Sequence, residues 1–197
     1  MSDTMVILAA AFVGYGLGSI PFGLIFTRLG GKGDIRDIGS GNIGATNVLR
    51  SGSKLLAMAT LLADAAKGLI AVALIWRLGN DHAAFLAGLA AFIGHLFPVW
   101  LNFKGGKGVA VFIGALLMIS PLTGLAFLLL WLLMALTFRI SSLSAIIAML
   151  IAPLLMAFLG EYGALPYVVA MVGLSLYAHR ENIARLRAGT EPKIGQK

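Results

Sequence analysis

The stretch "VAVFIGALLMISPLTGLAFLLLWLLMALTFR", Val109 to Arg139, is apolar along its length and is punctuated by Ser120-Pro121. Read as one helix kinked at the proline, it crosses a membrane once. Read as two helices, 109–119 and 121–138, it crosses twice and reverses the side of everything after it. Charge decides between the readings. The other apolar segments run from 5 to 27, 55 to 76, 83 to 101, 142 to 159 and 164 to 178, so the second reading makes seven spans. With the N-terminus outside, one side then receives Arg28, Lys32, Arg36, Arg50, Lys54, Lys104, Lys107, Arg139, Arg180, Arg185, Arg187, Lys193 and Lys197, which is 13 of the 15 Lys and Arg. Merging the pair would move Arg139 and the basic tail to the opposite side, against the positive-inside tendency.

Composition agrees with a membrane protein: 197 residues, 59% hydrophobic, 12% charged, with a mean hydropathy of +0.95. The first segment has no basic stretch before it and is longer than a signal-peptide core of about 7 to 15 residues, so it reads as a retained span. There is no cysteine, which excludes disulfides and thiolate metal sites, and the three histidines lack ligand spacing, so no metal is expected. The net charge of +7 belongs to cytoplasmic loops and implies no nucleic acid. The expected architecture is an all-α integral membrane protein, one domain over 1–197, with seven transmembrane helices, N-terminus outside and C-terminus cytoplasmic.

In this topology the polar interruptions at 28–54, 102–108 and 179–187 share the cytoplasmic face, and the outer connections are chemically plain. In "GSGNIGATNVLR", Gly39 to Arg50, the glycines match G-x-G-x-x-G, and Asp64 follows at the distance of a ribose-binding acid. The dinucleotide reading fails because no strand or βαβ unit surrounds them. What remains is a loop able to turn backbone N–H groups toward an anion, with Ser40, Asn42, Thr46 and Asn47 as donors and Arg50 as charge. Its plain alternative is a polar turn. "NFKGGKGVA", Asn102 to Ala110, again joins glycines to Lys104 and Lys107 and leads into a helix N-terminus that favours anions. It is not a Walker A loop, since Gly108 follows Lys107, and its lysines also suit topology anchors. Two such loops on one face point to phosphate-bearing ligands.

In "YAHRENIARLR", Tyr177 to Arg187, His179, Asn182 and Ile183 share a helix side, and Glu181 is placed to pair with Arg185. His179 suits either a helix-end cap or a positioning and acid–base group. Arg185 and Arg187 suit anionic headgroups equally well. Within the second span, Asp64 and Lys67 share a face, where they can pair or line a wet cavity. His95 reads as a packing or hydrogen-bonding residue, and Ser141, Ser142 and Ser144 as an N-cap or part of a site floor.

"GSIPFG", "GSGNIGATNVLR", "HLFPVWLNFKGGKGVA" and "HRENIARL" occur in that order, and together they resemble the bacterial acyl-phosphate:glycerol-3-phosphate acyltransferases over Gly18 to Leu186. The resemblance implies a seven-helix enzyme of the bacterial inner membrane that moves an acyl group from acyl phosphate to the 1-hydroxyl of glycerol 3-phosphate. Lysophosphatidate and inorganic phosphate are the implied products, no cofactor is needed, and an enzyme that makes acyl phosphate is the implied partner. By matching residues, it implies catalytic roles for Ser40, Arg50, Lys107, His179 and Asn182. It implies substrate or phosphate binding by Gly41, Asn42, Thr46, Asn47, Lys104, Gly105, Gly106 and Gly108, and a structural role for Glu181. A transporter of an organic phosphate would also explain a basic vestibule, but it requires a polar route on the outer face and usually repeated halves, neither of which the chain shows. A non-catalytic scaffold leaves the three co-facial motifs unexplained.

Overall fold

Ser120 ends one helix and starts the next. Its N–H donates to Leu116 O (2.8 Å), while its hydroxyl accepts from Thr123 N–H and donates to the Thr123 hydroxyl (2.7 Å). Pro121 takes the first position of the new helix, where its missing N–H costs nothing. The computed structural model, which describes residues 2–195, thus separates 109–119 from 121–138; Lys197 of the basic tail lies outside the described residues.

Among the described residues, ten α-helices follow one another: α1 (Asp3–Gly18), α2 (Phe22–Leu29), α3 (Ala45–Arg50), α4 (Lys54–Trp76), α5 (Asp81–Leu96), α6 (Val109–Ile119), α7 (Pro121–Phe138), α8 (Ser141–Phe158), α9 (Leu165–Ala178) and α10 (Arg180–Arg187). Among the described residues, five stretches are long and apolar enough to cross a membrane: Asp3–Leu29, Lys54–Trp76, Asp81–Leu101, Pro121–Phe138 and Ser141–Phe158. The 11-residue α6 and 14-residue α9 are apolar but shorter; at 1.5 Å per residue they reach about 16 and 21 Å.

Two expectations change. The first segment is not one continuous helix, because Pro21 has no N–H and the residue before it avoids helical geometry, so the chain breaks between α1 and α2. The carbonyls released there find side chains: Trp100 Nε1 donates to Ser19 O and Lys67 Nζ to Ile20 O, both at 2.8 Å. Residues 28–54 are likewise more than a loop. A 3₁₀ turn (Ile35–Asp37) and α3 pack Leu24, Ile35, Ile43, Val48 and Ala57 into a small core of their own.

Helices approach closely through small residues. A Cβ on Gly18 of α1 would lie 2.0 Å from Ala91 O of α5, and one on Gly114 of α6 would lie 1.8 Å from Ala65 O of α4. Such contacts let helix backbones touch where lipid supplies no hydrophobic drive between them. The interior holds Phe92, Phe112, Met149, Met156 and Met171, while Leu8, Phe12, Leu129, Leu136, Leu154 and Phe158 face outward. An apolar perimeter of this kind suits hydrocarbon.

One end of the bundle gathers the polar segments. Thr46 of α3 meets Ser141 of α8 (3.3 Å), Lys107 donates to Asn182 of α10, and Ile194 N–H donates to Arg139 O (2.6 Å).

Candidate active site

Lys107 lies at the centre of this end. The residue after it, Gly108, adopts φ +83°, and a Cβ there would sit 2.2 Å from the Phe92 ring, so glycine is required on both counts. Lys107 Nζ donates to Asn182 Oδ1, and the Asn182 amide donates to Glu191 Oε1 (2.5 Å). Ser142 donates to the same oxygen (2.7 Å), while Arg185 Nε binds Glu191 Oε2 (2.7 Å). This chain ties the Lys-Gly loop to α10, to the start of α8 and to the tail. Burial pushes the Lys107 ammonium down to about 8; Arg185 and Arg50 add to that, and the carboxylates of Glu191 and Glu181 oppose it. Burial raises the Glu191 carboxyl, but hydrogen bonds from Ser142, Asn182 and Arg185 outweigh it, and the net shift is downward.

Glu191 is the residue that sequence reasoning missed, and it displaces the expected Glu181–Arg185 pair: Arg185 turns to Glu191, and Glu181 is exposed. A signal was present. Gly189, at φ +70°, follows α10; Gly189 N–H bonds Leu186 O and Thr190 N–H bonds Arg185 O, the pattern of a Schellman cap that reverses the chain. That reversal brings Glu191 back over α10. Ser142, for which the sequence left an N-cap and a site floor open, donates to Glu191, and Ser175 is a further addition.

His179 is buried, with Nδ1 2.8 Å from Ser175 O. A carbonyl only accepts, so Nδ1 carries the proton and Nε2 presents a lone pair. Burial lowers the imidazole to about 4, with the Lys107 charge adding to the shift and the Ser175 carbonyl and Glu191 opposing it. The ring is therefore neutral at physiological pH. Ser175 Oγ also donates to Lys107 O (3.3 Å), which places His179 directly behind the loop.

The first glycine loop is built differently from expectation. Asn47 is buried and its amide is fully used within the chain: Nδ2 donates to Ile35 O (2.7 Å) and Ile38 O (3.2 Å), and Oδ1 accepts Ser40 N–H (3.1 Å). Asn42 Oδ1 accepts Gly44 N–H (2.9 Å) in an Asx turn, and Gly41 N–H donates to Ile38 O (3.0 Å). These bonds shape the loop: Asn47 fixes the backbone of Ser40, and Asn42 closes the turn to Gly44. Ser40 and Thr46 are exposed. Arg50 ends α3, its stem packed on Gly39, and its guanidinium makes no hydrogen bond or ion pair among the described residues. Arg28 and Arg36, by contrast, both clasp Asp34 at 3.2 and 2.5 Å.

The N–H groups of Gly105 and Gly106 are also committed, to Leu96 O (3.0 Å) and His95 O (2.9 Å). Their lack of side chains serves packing: a Cβ on Gly105 would meet His95 O, and one on Gly106 would meet His95 Nε2, each at 2.0 Å. Around the start of α6, the N–H groups from Lys107 to Val111 have no acceptor among the described residues, and there the helix dipole adds positive potential. Lys104 is exposed and makes no side-chain hydrogen bond with the cluster among the described residues. Lys107 therefore stands beside the α6 N-terminus within reach of the charges of Arg50 and Arg185, bonded to Asn182 and backed by His179. Chemically, the arrangement suits a doubly charged anion.

Comparison with known proteins points the same way. The family model described as "Glycerol-3-phosphate acyltransferase" matches residues 8–189. Glycerol-3-phosphate acyltransferase of Agrobacterium fabrum is 60% identical over 188 residues, covering 95% of this chain and 92% of its own length. The enzyme of the same name from Caulobacter vibrioides is 60% identical over 187 residues, covering 93% and 86%. Two crystal structures of PlsY, an integral membrane glycerol 3-phosphate acyltransferase, superpose on the chain at 38% identity. The glycerol 3-phosphate form gives a TM-score of 0.89 over 96% of both chains. The lysophosphatidic acid form gives 0.88 over 96% and 95%.

Proposed function

The chain belongs to the glycerol-3-phosphate acyltransferase family, and on that premise we propose that it transfers an acyl group from acyl phosphate to the 1-hydroxyl of glycerol 3-phosphate, giving lysophosphatidate and inorganic phosphate. The observation that supports this reading is that the charge of Arg50 acts on Lys107, which stands beside the α6 N-terminus, so cationic groups gather where substrate phosphate would bind. In this reading all seven apolar segments cross the bacterial inner membrane as one domain, the N-terminus lies outside and the polar end faces the cytoplasm. The basic residues gathered at that end support the orientation.

An acyl phosphate is a mixed anhydride with an activated leaving group, so no acyl-enzyme is required, and the chain has no cysteine and no G-x-S-x-G elbow. The glycerol hydroxyl attacks the acyl carbonyl, a C–O ester bond forms, the bond to the phosphate oxygen breaks, and the hydroxyl proton passes to a phosphate oxygen. Arg50 and Lys107 stabilise the departing phosphate, and the α6 N–H groups face the oxyanion. A phosphate with a second pKa of about 6 is a better proton acceptor than an imidazole held near 4. His179 then positions by hydrogen bonding. An apolar cleft of about 210 Å³ between α7 and α8, lined by Phe127, Leu130, Ala148 and Leu155 among others, offers the acyl chain a path. Along α8 it begins about 9 Å below Ser142.

Purified protein supplied with palmitoyl phosphate and glycerol 3-phosphate should release phosphate and lysophosphatidate in equal amounts, and acyl-CoA should not replace the donor. Turnover from acyl-CoA alone would overturn the donor assignment. His179→Gln should lower kcat yet leave the shape of the pH profile between 5 and 8 unchanged. Loss of an acidic limb in that variant would reinstate the histidine as the base.

A further inference from the structure

The Asp64, Lys67 and His95 side chains are 3%, 2% and 4% exposed and take no part in the chemistry above. Lys67 Nζ meets three groups, each at 2.8 Å: it is hydrogen-bonded to His95 Nδ1 and Ile20 O and forms an ion pair with Asp64 Oδ1, which itself accepts no hydrogen bond among the described residues. Asp64 and His95 lie on α4 and α5, and Ile20 O is the carbonyl released by the break before Pro21. An ammonium only donates, so His95 Nδ1 accepts and the ring carries its proton on Nε2. Buried ion pairs are weak sources of stability, because well-packed apolar residues of similar volume often do as well. What such a cluster does supply is one fixed geometry, here for three chain segments at once.

That geometry leads directly to the Lys-Gly loop. His95 lies in the last turn of α5, and its carbonyl accepts Gly106 N–H (2.9 Å) while the next carbonyl, Leu96 O, accepts Gly105 N–H (3.0 Å). The His95 ring lies against the Gly106 backbone, since a Cβ on Gly106 would fall 2.0 Å from Nε2. Lys107 is the next residue.

We propose that Asp64, Lys67 and His95 form a positioning relay that fixes the Gly105–Gly106 backbone and so aims Lys107 at substrate phosphate. The relay rests on the reading of Lys107 as a phosphate-binding group. It explains why intramembrane charges stand behind a loop that they do not touch directly, and why residue 106 must be glycine although its N–H is already occupied. A displacement of about 1 Å at such a site can cost about 100-fold in rate.

Two sets of variants test it. Asp64→Asn combined with Lys67→Met removes both charges together, so neither is stranded. It should raise KM for at least one of glycerol 3-phosphate and palmitoyl phosphate about tenfold in protein that remains folded by size exclusion. Gly106→Ala should cost about 100-fold in kcat/KM in the wild-type background. In a His95→Ala background, where the ring no longer opposes the added methyl, it should cost less than about threefold. A role confined to stability would lower yield and unfolding temperature and leave KM unchanged. Additive costs for Gly106→Ala and His95→Ala, with unchanged KM in the double charge variant, would overturn the relay. Wild-type turnover is the control that separates the outcomes: without it the acyltransferase reading fails, and with it only the relay is at stake.

Discussion

Arg50→Ala lowers kcat/KM for acyl transfer by about 10³-fold, the scale associated with loss of a donor aimed at developing charge. The expectation follows from how the arginines are used. Arg28 and Arg36 are neutralised on Asp34, and Arg185 is paired with Glu191. Arg50 has no such partner among the described residues, yet its stem is fixed against Gly39 at the end of a helix and its charge reaches Lys107. A fixed cation without an internal counter-charge is prepared for an external one. Arg50→Lys keeps the charge but loses the planar fork that matches phosphate, and it should remain about 100-fold below wild type. Because no structural bond is broken, the unfolding temperature of Arg50→Ala should stay within about 2 °C of wild type. Activity within tenfold of wild type in the alanine variant would remove Arg50 from the site.

The helices were legible because hydropathy and the Ser120-Pro121 punctuation act locally, through transfer energy and a missing N–H. The break before Pro21 obeys the same local rule, but counting apolar residues from 5 to 27 hid it. The small core under residues 28–54 left Ile35, Ile43 and Val48 as isolated apolar letters among polar ones, too few to show a period. The glycine loops were legible as constraints and not as purposes. A glycine that turns its N–H to an anion and a glycine pressed against His95 are the same letter, and only the committed N–H groups of Gly105 and Gly106 tell them apart. Asn47 poses the same ambiguity, since an amide serves a ligand or its own loop equally well. Glu191 stayed hidden because its partners lie on two separate helices, Ser142 on α8 and Asn182 and Arg185 on α10, although Gly189 announced the turn that brings them together.

Lys107 combines the loop, the network and the charge in one side chain, so its replacement is the second large effect. Lys107→Met should lower kcat/KM by about 10³-fold, again the loss expected for one charge-stabilising donor. The pH dependence carries the sharper test. Burial holds the ammonium at about 8, so the charged form is complete well below pH 8 and is lost as pH rises through it. The kcat/KM profile, which reports free enzyme, should therefore fall on the alkaline side near 8, while any acidic limb near 6 belongs to substrate phosphate. A bound phosphate stabilises the ammonium, so the corresponding limb in kcat should lie above that in kcat/KM. Lys107→Arg, which stays charged throughout this range, should retain about a tenth of the activity and lose the alkaline limb in both profiles. An alkaline limb near 8 that persists in the arginine variant would mean that another group governs it, and that Lys107 holds the loop to Asn182 without carrying the charge that the reaction uses.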